Sequence, residues 1–162
     1  MPPTVLIIDD EESLRYTFES FLTDEGYQVL TAATFEEAIG HLEGGAIDVI
    51  FADILLNNRS GIDVLREVRE RGLTSPVVMV TGSPNIETAT EAVRLGAFDY
   101  LAKPVRQDDL LHLTRLALQQ KNLVDEKERY RSHLEAILRS VRDGIVTVDE
   151  GMRLTGFNEA AR

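Results

Sequence analysis

The sequence predicts an α/β protein, a doubly wound five-stranded parallel sheet with an extended C-terminal helix. Three observations predict it. Short, continuously apolar runs alternate with amphipathic stretches from the N-terminus to about residue 118. Those runs end in a restricted set of residues, chiefly aspartate, threonine and lysine. From Gln107 to about Arg142 there is neither glycine nor proline.

Val5-Leu-Ile-Ile8 is apolar without alternation, as suits a strand buried on both faces, and it runs into Asp9-Asp10. Residues 12–24 put Leu14, Phe18, Phe21 and Leu22 on one helical face, and Gly26 ends that helix. Tyr27–Ala32 reads as the second strand. Thr34 with Glu37 forms a capping box for the second helix, which Gly44-Gly45 ends. Asp48–Ile54 is the third strand. A helix follows from Gly61 to about Arg71, with Val64, Leu65 and Val68 inward. Pro76 introduces the fourth strand, Val77–Val80. Ser83-Pro84-Asn85 leads into a helix ending near Gly96, and Phe98–Ala102 is the fifth strand. Parallel strands joined by right-handed crossovers leave the flavodoxin-like order 2-1-3-4-5.

The last helix does not stop where the sheet needs it to. Leu113, Leu116, Gln120, Leu123, Lys127, Tyr130, Leu134, Ile137 and Val141 recur at alternating spacings of three and four. A helix of roughly 36 residues runs about 54 Å, more than one small domain covers. The seam therefore predicts a parallel coiled-coil homodimer through residues 113–141, with Gln120 and Lys127 as polar interruptions. After Asp143-Gly144 the pattern changes. Ile145–Val148 and Arg153–Phe157 read as strands around a turn at Glu150-Gly151, and residues 158–161 as the start of a helix. The expected organisation is a first domain over 1–118, a helical linker over 119–142, and the truncated start of a second domain over 143–162.

Composition narrows the function. The 162 residues contain no cysteine, which removes disulfides and thiolate metal sites. The apolar run Val5–Ile8 is too short for a signal peptide or a membrane span, so the protein is expected in the cytoplasm. The net charge is −11. Residues 1–118 hold 9 basic and 20 acidic side chains, 9 − 20 = −11, and residues 119–162 hold 8 of each. An acidic domain of this kind repels nucleic acid and anionic membrane, so neither is expected as a partner.

In a sheet of this order ligands bind beyond the carboxyl ends of the strands. Asp9, Asp10, Asp53, Thr81 and Lys103 fall there. Clustered carboxylates repel one another, so their pKa values rise or a cation neutralises them. Hard oxygen ligands without His or Cys suit Mg2+. Asp53 can then act as a nucleophile that accepts a phosphoryl group, with Lys103 and the Thr81 hydroxyl stabilising its charge. Each residue alone has a plainer reading. An aspartate after a strand often caps a helix, a threonine packs, Lys103 is solvated, and Tyr100 is half-buried core.

Taken together, these residues carry a family resemblance. Val5-Leu-Ile-Ile-Asp-Asp-Glu11, Asp53 with Gly61, Val78-Met-Val-Thr-Gly82, and Ala97-Phe-Asp-Tyr-Leu-Ala-Lys-Pro104 resemble the receiver domain of bacterial two-component response regulators, over residues 4 to about 120. Residues 86–103 look most like receivers of nitrogen-regulator-type activators, and also like receivers attached to histidine kinases. The resemblance implies that Asp53 is the phosphoacceptor. It implies that Asp9, Asp10, Asp53 and the backbone carbonyl of Leu55 hold Mg2+. Thr81 and Lys103 would contact the phosphoryl group, Thr81 and Tyr100 would switch, and the bond before Pro104 would be cis. The implied donor is a sensor histidine kinase or a histidine phosphotransfer protein. Residues 134–149 and 156–161 resemble the opening of a PAS sensor domain.

Two departures matter. Leu56-Asn57 stand where Met-Pro is common, so the loop after Asp53 should be less rigid. Leu55 and Ser83 are poorly suited to align a hydrolytic water, so loss of the phosphoryl group should be slow. The rival readings are weaker. A haloacid-dehalogenase-type phosphatase would want an aspartate where Leu55 stands, and a flavin-binding loop would not read Asp-Asp-Glu-Glu. A phosphorylation-independent dimerisation module would not need the full acidic, hydroxyl and lysine set. His41, His112 and His133 are expected to be surface residues.

Overall fold

The structure, a computed structural model, describes residues 1–141 and 144–161. Its first unit, residues 1–122, holds a five-stranded sheet in the order β2-β1-β3-β6-β7. These strands are β1 (Thr4–Ile8), β2 (Gln28–Ala32), β3 (Val49–Asp53), β6 (Val77–Thr81) and β7 (Asp99–Ala102). All neighbours are parallel, which gives the expected order 2-1-3-4-5. A two-residue ladder that the sequence did not announce, β4 (Leu55–Leu56) with β5 (Arg59–Ser60), follows β3 directly.

The continuous apolar runs have their expected cause. Alternate residues of one strand feed opposite cores. Leu6, Ile8, Ile50, Ala52, Val77 and Met79 pack against α2 (Phe35–Gly44), α3 (Gly61–Glu70) and α4 (Ile86–Arg94). Val5, Ile7, Val49, Phe51, Val78 and Val80 pack against α1 (Glu12–Asp24) and α5 (Gln107–Ser140). Each fully buried Val, Leu, Ile, Met or Phe side chain among them contributes about 1.5–3 kcal/mol. The central strands therefore cannot slip register without exchanging the two cores.

Local signals set the helix starts. Thr34 Oγ1 accepts from the Glu37 N–H at 3.2 Å. Glu37 returns its carboxylate to the Ala33 N–H at 2.8 Å, one residue before the donor a regular capping box would use. Helix α3 is capped by Ser60, with Asp63 completing the box. Helix α4 is capped by Asn85, which accepts from the Thr88 N–H at 2.9 Å.

Helix α5 has 34 residues, about 51 Å. One expectation needs correcting. Leu113, the first seam position, is buried in its own domain's core with Leu110, Leu111 and Ala117. The sheet already occupies that turn, so the exposed part of the expected seam begins at Leu116. Leu123, Tyr130, Leu134 and Ile137 are exposed. Arg142 and Asp143, where the sequence places the helix end and the break that follows, lie outside the described residues. In the second unit β8 (Val146–Val148) and β9 (Leu154–Phe157) form an antiparallel hairpin. Asp149 holds its turn by accepting from the Gly151 and Arg153 N–H groups, both at 2.9 Å. Asn158 is buried and accepts from the Ile145 N–H at 2.8 Å. Among the described residues no helix is long and apolar enough to cross a membrane.

Candidate functional site

The strand register assembles the site. Ile8 lies opposite Ala52, Asp53 opposite Val80, and Thr81 opposite Ala102. Asp9, Asp53, Thr81 and Lys103 therefore emerge side by side at the carboxyl edge. The Lys103 N–H donates to the Thr81 carbonyl at 2.7 Å, and the Lys103-Pro104 peptide is cis. The site sits where the chain changes direction between β1 and β3, the crevice that open sheets leave for ligands.

Asp9, Asp10 and Asp53 each offer a carboxylate oxygen within 4.8 Å of the others. Asp9 and Asp53 are buried, whereas Asp10 faces solvent. Lys103 Nζ bridges the two buried acids, donating to Asp9 Oδ2 at 2.8 Å and to Asp53 Oδ2 at 2.9 Å. Asp53 Oδ1 accepts from the Leu55 N–H at 3.1 Å. Burial pushes the Asp53 carboxyl above its ordinary pKa, and the Asp9 charge adds to the rise. Lys103 and the Leu55 amide offset it only in part. Burial also works against the Lys103 ammonium, but its hydrogen bonds to the two aspartates outweigh that and raise its pKa. The charge balance is thus unfinished: three acids face one lysine. The hard oxygen donors, their spacing and the uncompensated charge at Asp53 all fit Mg2+, and exposed Asp10 leaves a way in.

Gly61 closes the floor of the site. A Cβ there would lie 2.0 Å from the Asp53 carbonyl oxygen, so only glycine fits. Leu55 turns its side chain outward, 62% exposed, away from any role in the acidic cluster. Thr81 is buried, and its Oγ1 accepts from the Ser83 N–H at 3.1 Å. Tyr100 is half-buried. Its hydroxyl accepts from the Asn85 N–H at 3.3 Å and shares a hydrogen bond with the Thr88 hydroxyl at 2.9 Å. The ring is thereby tied to the start of α4, a link that residue spacing does not reveal.

Sequence reasoning also missed Arg15, whose Nη1 donates to the Asp9 carbonyl at 2.7 Å. It missed Arg59, stacked 4.0 Å over the Phe35 ring beside the loop after Asp53. No motif marks either residue. His41 is half-buried rather than a surface residue, with Nε2 2.9 Å from the Thr31 carbonyl oxygen. His112 and His133 are exposed.

Comparison with known proteins agrees with this geometry. The model of the response regulator receiver domain matches residues 5–115. The chain is 34% identical over 120 residues to the transcriptional regulatory protein DltR of Streptococcus agalactiae, covering 74% of this chain and 54% of that one. It is 36% identical over 141 residues to the alginate biosynthesis transcriptional regulatory protein AlgB of Pseudomonas putida, covering 87% and 31%. A receiver domain protein (CheY-like) from Methanospirillum hungatei superposes with a TM-score of 0.73 at 28% identity, over 75% of this chain and 98% of that one. NtrX of Brucella abortus, solved with ADP, superposes with a TM-score of 0.75 at 32% identity, over 94% and 33%. The chain thus spans about half or less of the curated relatives it matches. Residues 5–115 match the family model, the five strands run in its order and an acidic cluster stands at their carboxyl edge: the chain belongs to the response regulator receiver domain family.

Proposed function

We propose that this chain is a phosphoacceptor switch, taking a phosphoryl group on Asp53 from a phosphohistidine of a partner kinase or phosphotransfer protein. The observation that carries the reading is the Lys103 ammonium bridging Asp9 and Asp53 beneath the exposed Asp10. In the transfer an Asp53 oxygen forms the new P–O bond and the P–N bond to the donor imidazole breaks. The imidazole keeps the electron pair and takes a proton. Lys103 moves its hydrogen bond from the Asp53 carboxylate to a phosphoryl oxygen, and the Thr81 O–H, whose oxygen among the described residues is engaged only as an acceptor with Ser83, donates to another. Asp9, Asp10, Asp53 and the Leu55 carbonyl would hold Mg2+, which would supply positive charge to stabilise the transferring phosphoryl group.

The switch runs through Thr81 and Tyr100. Movement of Thr81 toward the phosphoryl group opens space for the Tyr100 ring, which breaks its hydrogen bonds to Asn85 and Thr88 and frees the start of α4. Return is slow, because exposed Leu55 has no polar group to align a hydrolytic water and the short Ser83 side chain is only weakly suited to it. The exposed seam from Leu116 to Ile137 pairs with a second copy of the chain in a parallel coiled coil, and β8–β9 fit the opening of a PAS-like domain. The output is regulation of a following domain, as the transcriptional regulators among the relatives suggest.

Intact-mass measurement after incubation with acetyl phosphate and Mg2+ tests the chemistry. Wild type should gain one phosphoryl group and Asp53→Ala none. No gain by wild type, or equal gain by the variant, overturns the proposal.

A further inference from the structure

We propose that Arg15 is a positioning residue for the divalent-cation site, acting through the peptide bond that carries Asp10. The inference rests on the reading of Asp9, Asp10 and Asp53 as an Mg2+ site.

The three acids are not held equally. Every polar group of Asp9 has a partner. Its N–H donates to the Ala32 carbonyl at 3.0 Å, Oδ1 accepts from the Glu11 N–H at 2.8 Å, and Oδ2 accepts from Lys103 at 2.8 Å. Asp53 is held by the Leu55 amide and Lys103. Asp10 is the exposed member, and among the described residues no hydrogen bond holds its carboxylate. Its direction is set by the backbone that carries it, and first by the plane of the Asp9–Asp10 peptide. The carbonyl oxygen of that peptide is the atom Arg15 grips, at 2.7 Å.

Helix geometry explains how Arg15 reaches it. Arg15 lies in the first turn of α1, and helical side chains lean toward the N-terminus. A long side chain at this position folds back over the turn onto residue 9. The placement is otherwise unfavourable. A cation near a helix N-terminus opposes the macrodipole, and the Glu11 side chain caps no helix N–H, accepting instead from the Ser13 hydroxyl at 2.9 Å. Arg15 also ion-pairs with no carboxylate among the described residues, although Asp9 and Asp10 are close in the chain. A guanidinium that bypasses neighbouring acids for a carbonyl is arranged to fix geometry rather than to neutralise charge.

Positioning and simple electrostatics predict opposite signs. Removing a positive charge beside a cation site should tighten every divalent cation. Removing a geometric restraint should weaken Mg2+, which demands near-octahedral ligands, and spare Ca2+, which tolerates irregular ones. Isothermal titration of the full chain with Mg2+ and with Ca2+ separates the two. Arg15→Met should lose about tenfold in Mg2+ affinity, the usual effect of removing a group that orients a metal ligand. Its Ca2+ affinity should hold or rise, so the preference for Mg2+ falls. Arg15→Lys, which keeps the charge and one donor, should recover part of the Mg2+ loss. It carries the same comparison if Arg15→Met does not fold. Tighter Mg2+ binding by either variant, unchanged binding, or equal loss for both ions overturns the proposal. Asp10→Asn is the control for the site itself. If Mg2+ binds it as tightly as wild type, the cation-site reading fails and Arg15's role falls with it.

Discussion

Replacing Gly61 by alanine should damage both the fold and the site, by an amount the geometry sets. The added Cβ would stand 2.0 Å from the Asp53 carbonyl oxygen and 2.8 Å from its carbon. Ordinary contact begins at 3.4 Å, so the backbone must yield by 3.4 − 2.0 = 1.4 Å. The obstacle is main chain on β3, which is paired on both sides. It cannot swing aside as a flexible side chain would, and the Met79 methyl at 3.1 Å blocks sideways relief. Overpacking of this kind costs about 1–3 kcal/mol. Separating α3 from β3 also strains the Gly61 N–H bond to the Ile54 carbonyl at 2.8 Å, worth about 1 kcal/mol. With a total near 3 kcal/mol and a urea slope of about 2 kcal/mol/M, the unfolding midpoint should fall by about 1.5 M. The displaced peptide is that of Asp53, the proposed acceptor, and a misplacement of about 1 Å costs on the order of a hundredfold in rate. Phosphoryl uptake by the folded variant should therefore slow by a comparable factor. A midpoint within about 0.3 M of wild type, with unchanged uptake, would refute the reasoning.

Three further outcomes follow from the same geometry. Asp53 holds its proton more tightly folded than unfolded, so its ionisation removes stability as pH rises from the ordinary value of 3.8 through the raised folded pKa. Asp53→Asn should therefore be more stable than wild type at pH 7 without divalent cations, with the gain vanishing in acid below the ordinary value; urea titrations across pH that show a less stable variant at pH 7 contradict this. Tyr100→Phe loses the bonds to Asn85 and Thr88, and should cost about 0.5–1 kcal/mol and speed amide exchange at Thr88, as hydrogen-exchange NMR can measure. Leu134→Asp places a charge on the exposed seam and should shift the chain to monomer in sedimentation equilibrium, and a wild type already monomeric at high concentration disposes of the coiled coil.

Much of the molecule was legible because its signals are local. Continuous apolar strands, the Thr34 cap and the glycine after α1 are properties of a few neighbouring residues. They are enough to predict the sheet order and to place Asp9, Asp53, Thr81 and Lys103 at its carboxyl edge. The start of α3 at Gly61 was legible and the structure keeps it; the Ser60–Asp63 capping box before it has the right spacing but was not picked out. The ladder between Leu55–Leu56 and Arg59–Ser60 was missed because two-residue strands have no periodicity.

The sequence by itself determined the alternation of elements, the order in which they wind, and the chemical inventory at the strand ends. Only the tertiary structure decided how that inventory is wired. Lys103 meets Asp9 and Asp53 from 94 and 50 residues away, and that bridge exists because the register sets three strand ends level. It also decided where the apolar face of α5 leaves the core. A heptad face and a core-facing helix have the same spacing, and Leu113 belongs to the core because the crossover from β7 lays that turn on the sheet. Spacing records which residues share a face; what the face meets depends on chain that is distant in sequence.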